Sequence, residues 1–259
     1  MIASRGTTRT YRSGRYSWLS AHRPAAPAAI SSNTVIRRPL CDNGASANMA
    51  RRGAFITFEG MDGCGKTTQM RRLGKRLRGA GHPVLETVEP GGTEIGSQIR
   101  SILLDSANKE LSPATELLLY FAARAQNVDQ LITPALAEGK VVLSDRFTDS
   151  SLAYQGCGRG LGAETVLALD QIACRGLKPD LTLLIEIDLA TSLSRAEVRN
   201  RHGNRTDRME EQDAAFYSRV RDAYVALAAA EPKRFRIIDG RLGVDEVSWQ
   251  IWNVVSAYV

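Results

Sequence analysis

From Gly53 onward, short apolar runs alternate with longer stretches of helical periodicity. The runs Ala54–Glu59, Val84–Val88, Val141–Asp145, Leu181–Ile187 and Phe235–Asp239 are mostly apolar. Such runs are expected of parallel strands buried on both faces. Helical patterns fall between and after them, at Lys66–Arg78, Glu94–Leu104, Pro113–Ala137, Ala163–Arg175, Ala190–Asn200, Glu210–Ala230 and Val244–Ser256. Gly79 and Gly81 end the first helix and Gly139 ends the long one, because glycine adopts the left-handed conformation that closes a helix. Ser112-Pro113 opens a helix, with serine as cap and proline in the first turn. No internal repeat is evident. The alternation predicts a five-stranded, doubly wound parallel sheet with helices on both faces, and ligands at the carboxyl ends of its strands.

The unusual residues gather at those ends. The first strand runs directly into Gly60-Met61-Asp62-Gly63-Cys64-Gly65-Lys66-Thr67-Thr68. The spacing G-x-x-x-x-G-K-T makes a loop whose backbone N–H groups cradle phosphate oxygens. Lys66 reaches the β- and γ-phosphates, Thr67 is placed to hold Mg²⁺, and the helix that follows adds its positive end. The strand before and the helix after argue against a simple glycine-rich turn. Asp62 is a carboxylate among phosphates. It either stabilises the turn or stands beside a cation or a hydroxyl. Glu89-Pro90-Gly91-Gly92-Thr93 follows the second strand, Asp145-Arg146 the third, and Asp188 the fourth. Arg195, Arg199, Arg201, Arg205 and Arg208 crowd the stretch after the fourth strand. They are either a solvated surface or a mobile lid whose planar guanidinium groups pair with phosphoryl oxygens.

Charge removes one class of partner. The net charge is +6, from 34 basic and 28 acidic residues. Residues 1–48 hold seven arginines and one acid, which accounts for all of it. The remainder is balanced and has no excess basicity to steer it to nucleic acid. The leader is rich in Arg, Ser, Ala and Pro and poor in large apolar residues, so it reads as disordered. Either it is an organellar transit peptide, for a mitochondrion or plastid, or translation starts at Met49 in a bacterial frame; the second reading is preferred. The chain thus divides into a leader, 1–48, and a domain, 49–259. No run approaches the ~18 apolar residues that span a bilayer. Four cysteines without metal spacing suit a reducing, cytoplasmic compartment.

The phosphate loop combines with Glu89-Pro90-Gly91-Gly92-Thr93, Arg100, Tyr120-Phe121-Ala122-Ala123-Arg124, Asp145-Arg146-Phe147 and Ala153-Tyr154-Gln155-Gly156. From about residue 53 to the end, the chain resembles the thymidylate kinases, a branch of the P-loop nucleoside-monophosphate kinases. The resemblance implies a P-loop NTPase fold with a short arginine-bearing lid at about 200–208. It implies Mg²⁺-dependent transfer of the γ-phosphoryl group of ATP to dTMP, and a homodimer. Tyr120 and Arg124 share a helix face; the resemblance implies that the ring stacks on thymine, where phenylalanine is usual, and that the arginine bonds O4. It gives Arg100 and Arg146 to the acceptor phosphate, Asp145 and Thr67 to the metal, and Ser150, Ser151 and Gln155 to the base. Tyr154 would crowd the sugar 2′ position, and Asp62 would serve both the sugar 3′-hydroxyl and the metal region. The phosphate loop carries no arginine, so the extra cation for the transferring group would be Arg199, with Arg195 and Arg205 as alternatives; Arg195 is also assigned to ATP. Arg208 would anchor the far end of the lid. Another P-loop metabolite kinase or an ATP-binding regulatory module are the rival readings. A GTPase would need an Asn-Lys-x-Asp run, which the sequence lacks.

Overall fold

The computed structural model describes residues 52–192, 194, 195, 198 and 208–259. The leader reading and the expectations for Arg199, Arg201 and Arg205 lie outside the described residues. Five parallel strands, β1 (Phe55–Glu59), β2 (Val84–Val88), β3 (Val141–Asp145), β4 (Leu181–Glu186) and β5 (Phe235–Asp239), pair in the order β2-β3-β1-β4-β5. β1 is central. Its register sets Phe58 beside Asp145 on one side and beside Leu183 on the other.

The central strands β1, β3 and β4 are buried almost throughout. The edge strands are not. β2 is mostly half-buried and Ile237 of β5 is exposed, so the expectation of burial on both faces fails at the edges, where one neighbour is missing.

On one face, Ile56, Phe58, Leu143, Leu183 and Ile185 form a core with α1 (Lys66–Gly79) and α8 (Val244–Val255). Met70, Leu73 and Leu77 face that core from α1, and Val247, Ile251 and Val255 face it from α8. These spacings of three and four put each set on one helical stripe. The remaining helices are α2 (Glu94–Leu104), α3 (Pro113–Asn127), α4 (Thr133–Ala137), α5 (Thr148–Ser151), α6 (Ala163–Cys174) and α7 (Ala214–Ala230). Helix ends follow local chemistry. Thr93 caps α2 through the Gly96 N–H, Ser112 caps α3 through that of Thr115, and Asp213 caps α7 through that of Phe216.

Two boundaries differ from the sequence pattern. The predicted helix 113–137 contains a wider π segment, Val128–Ile132. The predicted helix 210–230 starts at Ala214, because the Asp213 carboxylate takes the capping bond and residues 208–211 turn separately. A second π segment, Leu152–Gly158, follows α5. Among the described residues no helix is long and apolar enough to cross a membrane.

Candidate active site

The phosphate loop leaves the end of β1. Gly60 has φ 132°, and a Cβ there would lie 2.4 Å from the Ile185 carbonyl oxygen. Gly65 is left-handed at φ 97° and opens α1 with no side-chain cap. The first N–H groups of α1 are therefore left to a ligand, at the positive end of the helix. Lys66 is buried, and its Nζ donates to the Gly60 carbonyl at 3.0 Å and the Met61 carbonyl at 2.8 Å. Thr67 Oγ1 donates to Asp145 Oδ2. The hydroxyl and the carboxylate that the sequence assigns to a metal are thus brought together.

Asp62 has its cation. Arg146 Nη2 donates to Asp62 Oδ1 at 2.6 Å, and the Tyr154 hydroxyl donates to Asp62 Oδ2 at 3.2 Å. Arg146 is held from several directions. Its Nη1 donates to the Gly60 carbonyl at 3.2 Å, Ser150 Oγ at 3.0 Å and the Tyr224 hydroxyl at 3.3 Å. Its backbone is left-handed, at φ 76°. That conformation is rare for a side chain with a Cβ and is characteristic of functional sites.

Beneath Arg146 lies Glu59, fully buried at the end of β1. It accepts from the Phe147 N–H at 2.8 Å, Ser150 Oγ at 2.6 Å and the Tyr224 hydroxyl at 2.9 Å. Burial, and then the nearby Asp149, push its pKa up to about 7, against the opposing pull of Ser150, Arg146 and Tyr224.

Beside the loop is a cleft. Asp62, Arg100, Tyr120, Arg124, Arg146, Ser150, Ser151, Tyr154 and Gln155 all line it, together with Glu89, Pro90, Leu104 and Met209. Arg124 is 1% exposed. Its Nε donates to Glu89 Oε2 at 2.5 Å, and its Nη2 donates to the Phe147 carbonyl and to Ser151 Oγ, both at 3.0 Å. Its Nη1 is buried with no hydrogen-bond partner among the described residues. A buried unpaired donor is costly unless a ligand completes it. Arg100 Nη1 donates to the Pro90 carbonyl at 2.7 Å.

Ser150 and Ser151 line the cleft, but their hydroxyls are engaged with Glu59, Arg146, Tyr224 and Arg124. Arg195 is exposed, and its Nη1 donates to the Gly240 carbonyl at 3.1 Å, beyond the end of β5. Arg208 is buried and bonds the Leu103 carbonyl and Glu116.

Sequence reasoning assigned no role to Glu59, Glu116, Tyr224 or Met209. For Glu116 a signal exists: it precedes Tyr120 and Arg124 at spacings of four and eight, on the same helix face.

A phosphate loop at the end of the central strand, with an arginine-lined cleft beside it, defines a nucleotide kinase built on the P-loop α/β fold. A model of the family described as "Thymidylate kinase" matches residues 58–251. The thymidylate kinase of Geobacter sulfurreducens is 50% identical over 205 residues, covering 78% of this chain and 96% of that one. That of Pelobacter propionicus is 52% identical over 198 residues, covering 76% and 90%. The solved thymidylate kinase structure from Ehrlichia chaffeensis is 32% identical, with a TM-score of 0.63, covering 79% of this chain and 99% of that one. The chain belongs to the thymidylate kinase family.

Proposed function

We propose that this protein transfers the γ-phosphoryl group of ATP to dTMP, giving ADP and dTDP for dTTP synthesis. An oxygen of the acceptor's 5′-phosphate attacks the γ-phosphorus, and the bond from that phosphorus to the bridging oxygen breaks as ADP leaves. Such transfer is mainly positioning and charge neutralisation. The phosphate loop from Gly60 to Thr68 holds the ATP phosphates, with Lys66 free to swing from two carbonyls onto them. Thr67 and Asp145, already in contact, are the oxygen donors that would hold Mg²⁺. A magnesium ion on nucleotide phosphates needs only one or two protein ligands, so this pair fits it. When bound, the ion neutralises charge on the β- and γ-phosphates.

The observation that carries the reading is the Arg124 guanidinium. One of its nitrogens, Nη1, is a buried donor without a hydrogen-bond partner among the described residues, on a side chain that lines the cleft; we assign it to a base carbonyl, with Tyr120 to stack on the ring. Arg146 and Arg100 are the cations for the acceptor phosphate. Tyr154, held by Asp62 and Arg146, is the side chain we assign to the sugar edge. Arg199 remains the sequence-based candidate for the added cation. Exposed Leu118 on α3 and exposed Leu167 and Ile172 on α6 support a homodimer through those helices, which sedimentation velocity tests. A cytoplasmic setting is supported by the described cysteines, all free thiols.

The test is formation of nucleoside diphosphate from ATP and each of dTMP, UMP, GMP and AMP. Turnover should be confined to dTMP within that set. Equal turnover of a purine acceptor would overturn the reading.

A further inference from the structure

Glu116 lies at the centre of a buried polar cluster that reaches the cleft through Gln155, one of its lining residues. It is fully buried in α3. Gln155 Nε2 donates to its Oε1 at 2.9 Å. Arg159 donates through Nε to Oε1 at 3.3 Å and through Nη2 to Oε2 at 3.0 Å. Arg208 Nη2 donates to Oε2 at 2.7 Å. Burial alone would raise its pKa, but the hydrogen bonds from Gln155, Arg159 and Arg208 outweigh burial and hold it below the usual carboxylate value. At neutral pH Glu116 is therefore ionised, and an ionised carboxylate only accepts.

This fixes Gln155. A glutamine amide can present either its oxygen or its NH₂ to a ligand. Facing a carboxylate, the NH₂ must turn to Glu116. The Gln155 carbonyl oxygen is left without a hydrogen-bond partner among the described residues, on a side chain that lines the cleft. The same cleft is lined by Arg124, whose Nη1 is a buried donor without a hydrogen-bond partner among the described residues. One fixed donor and one fixed acceptor thus belong to two side chains that line a single cleft.

We infer that Glu116 is a positioning residue for base specificity: by orienting Gln155, it makes the cleft accept a pyrimidine with a carbonyl next to a ring N–H and reject one with an amino group next to a bare ring nitrogen. Thymine and uracil present the first pattern and cytosine the second. With cytosine, the Arg124 donor would meet an amino donor, and the Gln155 oxygen would meet a ring-nitrogen acceptor. Sites built on hydrogen bonds reject mismatched ligands by several orders of magnitude, because their own buried groups are left unpaired. The inference rests on the dTMP reading above.

The test compares kcat/KM for dTMP and dCMP, with ATP, in the wild type, Glu116→Gln, Gln155→Met and the double variant. The wild type should favour dTMP at least a hundredfold. Glu116→Gln should reduce that ratio at least tenfold, through KM of the nucleoside monophosphate, with KM for ATP unchanged. In the Gln155→Met background, Glu116→Gln should have no further effect on the ratio, since the two act as one unit. A merely structural role would slow both acceptors alike and leave the ratio intact, and that result overturns the inference, as would losses that add in the double variant. If melting shows that Glu116→Gln does not fold, Glu116→Asp replaces it: the charge stays for the arginines but retreats by one methylene from Gln155, with the same loss of discrimination expected. A wild type that makes no dTDP refutes the dTMP reading itself. One that makes dTDP, with an unchanged ratio in the variants, refutes only the role of Glu116.

Discussion

Two buried residues set the character of the cleft. Arg124 meets Glu89 with both side chains almost wholly buried, at 1% and 2% exposure. Three of its guanidinium contacts are satisfied inside the protein and one nitrogen is left over. Lysine keeps the charge but cannot reproduce a planar fork with several fixed directions. Arg124→Lys is expected to raise KM for dTMP tenfold or more while leaving KM for ATP near its original value, in steady-state assays varying each substrate in turn. Glu59 offers a test by pH. Its pKa of about 7 in the fold stands above the ordinary 4.5. The folded chain thus keeps this proton at pH values where the unfolded chain has lost it. The stability linked to that proton is fully present below about pH 4.5 and is lost as pH rises through 7. The full shift corresponds to something on the order of 3 kcal/mol. Glu59→Gln removes the titration. The melting temperature of the variant relative to wild type should therefore climb from pH 5 to pH 8. A difference that is flat across this range would remove Glu59 from the linkage.

At the scale of elements, caps and packing decide where helices begin and what they present. Asp213 fixes the start of α7 through a 2.7 Å bond from the Phe216 N–H. That start matters to the cleft, because Phe216 packs edge-on against Tyr154, with ring centroids 6.1 Å apart. Loss of such a cap costs about 1 kcal/mol, so Asp213→Ala should lower the melting temperature by about 2–4 °C in a domain of this size. Asn in its place should avoid most of that loss, since its side-chain oxygen also accepts. The pattern of apolar residues made the helices legible. It did not reveal the π segment 152–158, which carries both Tyr154 and Gln155. That widening depends on packing against α6 and α7, as close as the Gly158 site, where an added Cβ would stand 2.6 Å from the Phe216 ring.

Across the whole molecule, the match to the family begins near the first strand, at residue 58. Residues 1–48 carry the entire net charge and little apolar material. A chain beginning at Met49 is therefore expected to keep turnover and melting temperature within error of the full chain, measured side by side. A fall of more than a few degrees would show that the leader contributes to the fold. The balanced charge of the remaining residues has a counterpart inside the cleft, where cations and carboxylates are set against one another rather than collected into one basic surface.

The sequence alone determined the order of strands and helices, the phosphate loop and the candidate residues around it. These rest on short-range rules: apolar runs, spacings of three and four, and glycines where the backbone must turn. The tertiary structure decided which polar or charged group meets which. Asp62 finds Arg146, Glu59 finds Ser150, and Glu116 finds Arg208, each across more than 80 residues. None of these partners is fixed by local spacing. The first two follow from the strand order, which puts β3 beside β1 and aligns Phe58 with Asp145. Burial then enforces the pairing, because a charge withdrawn from water must find its opposite or lose its ionisation.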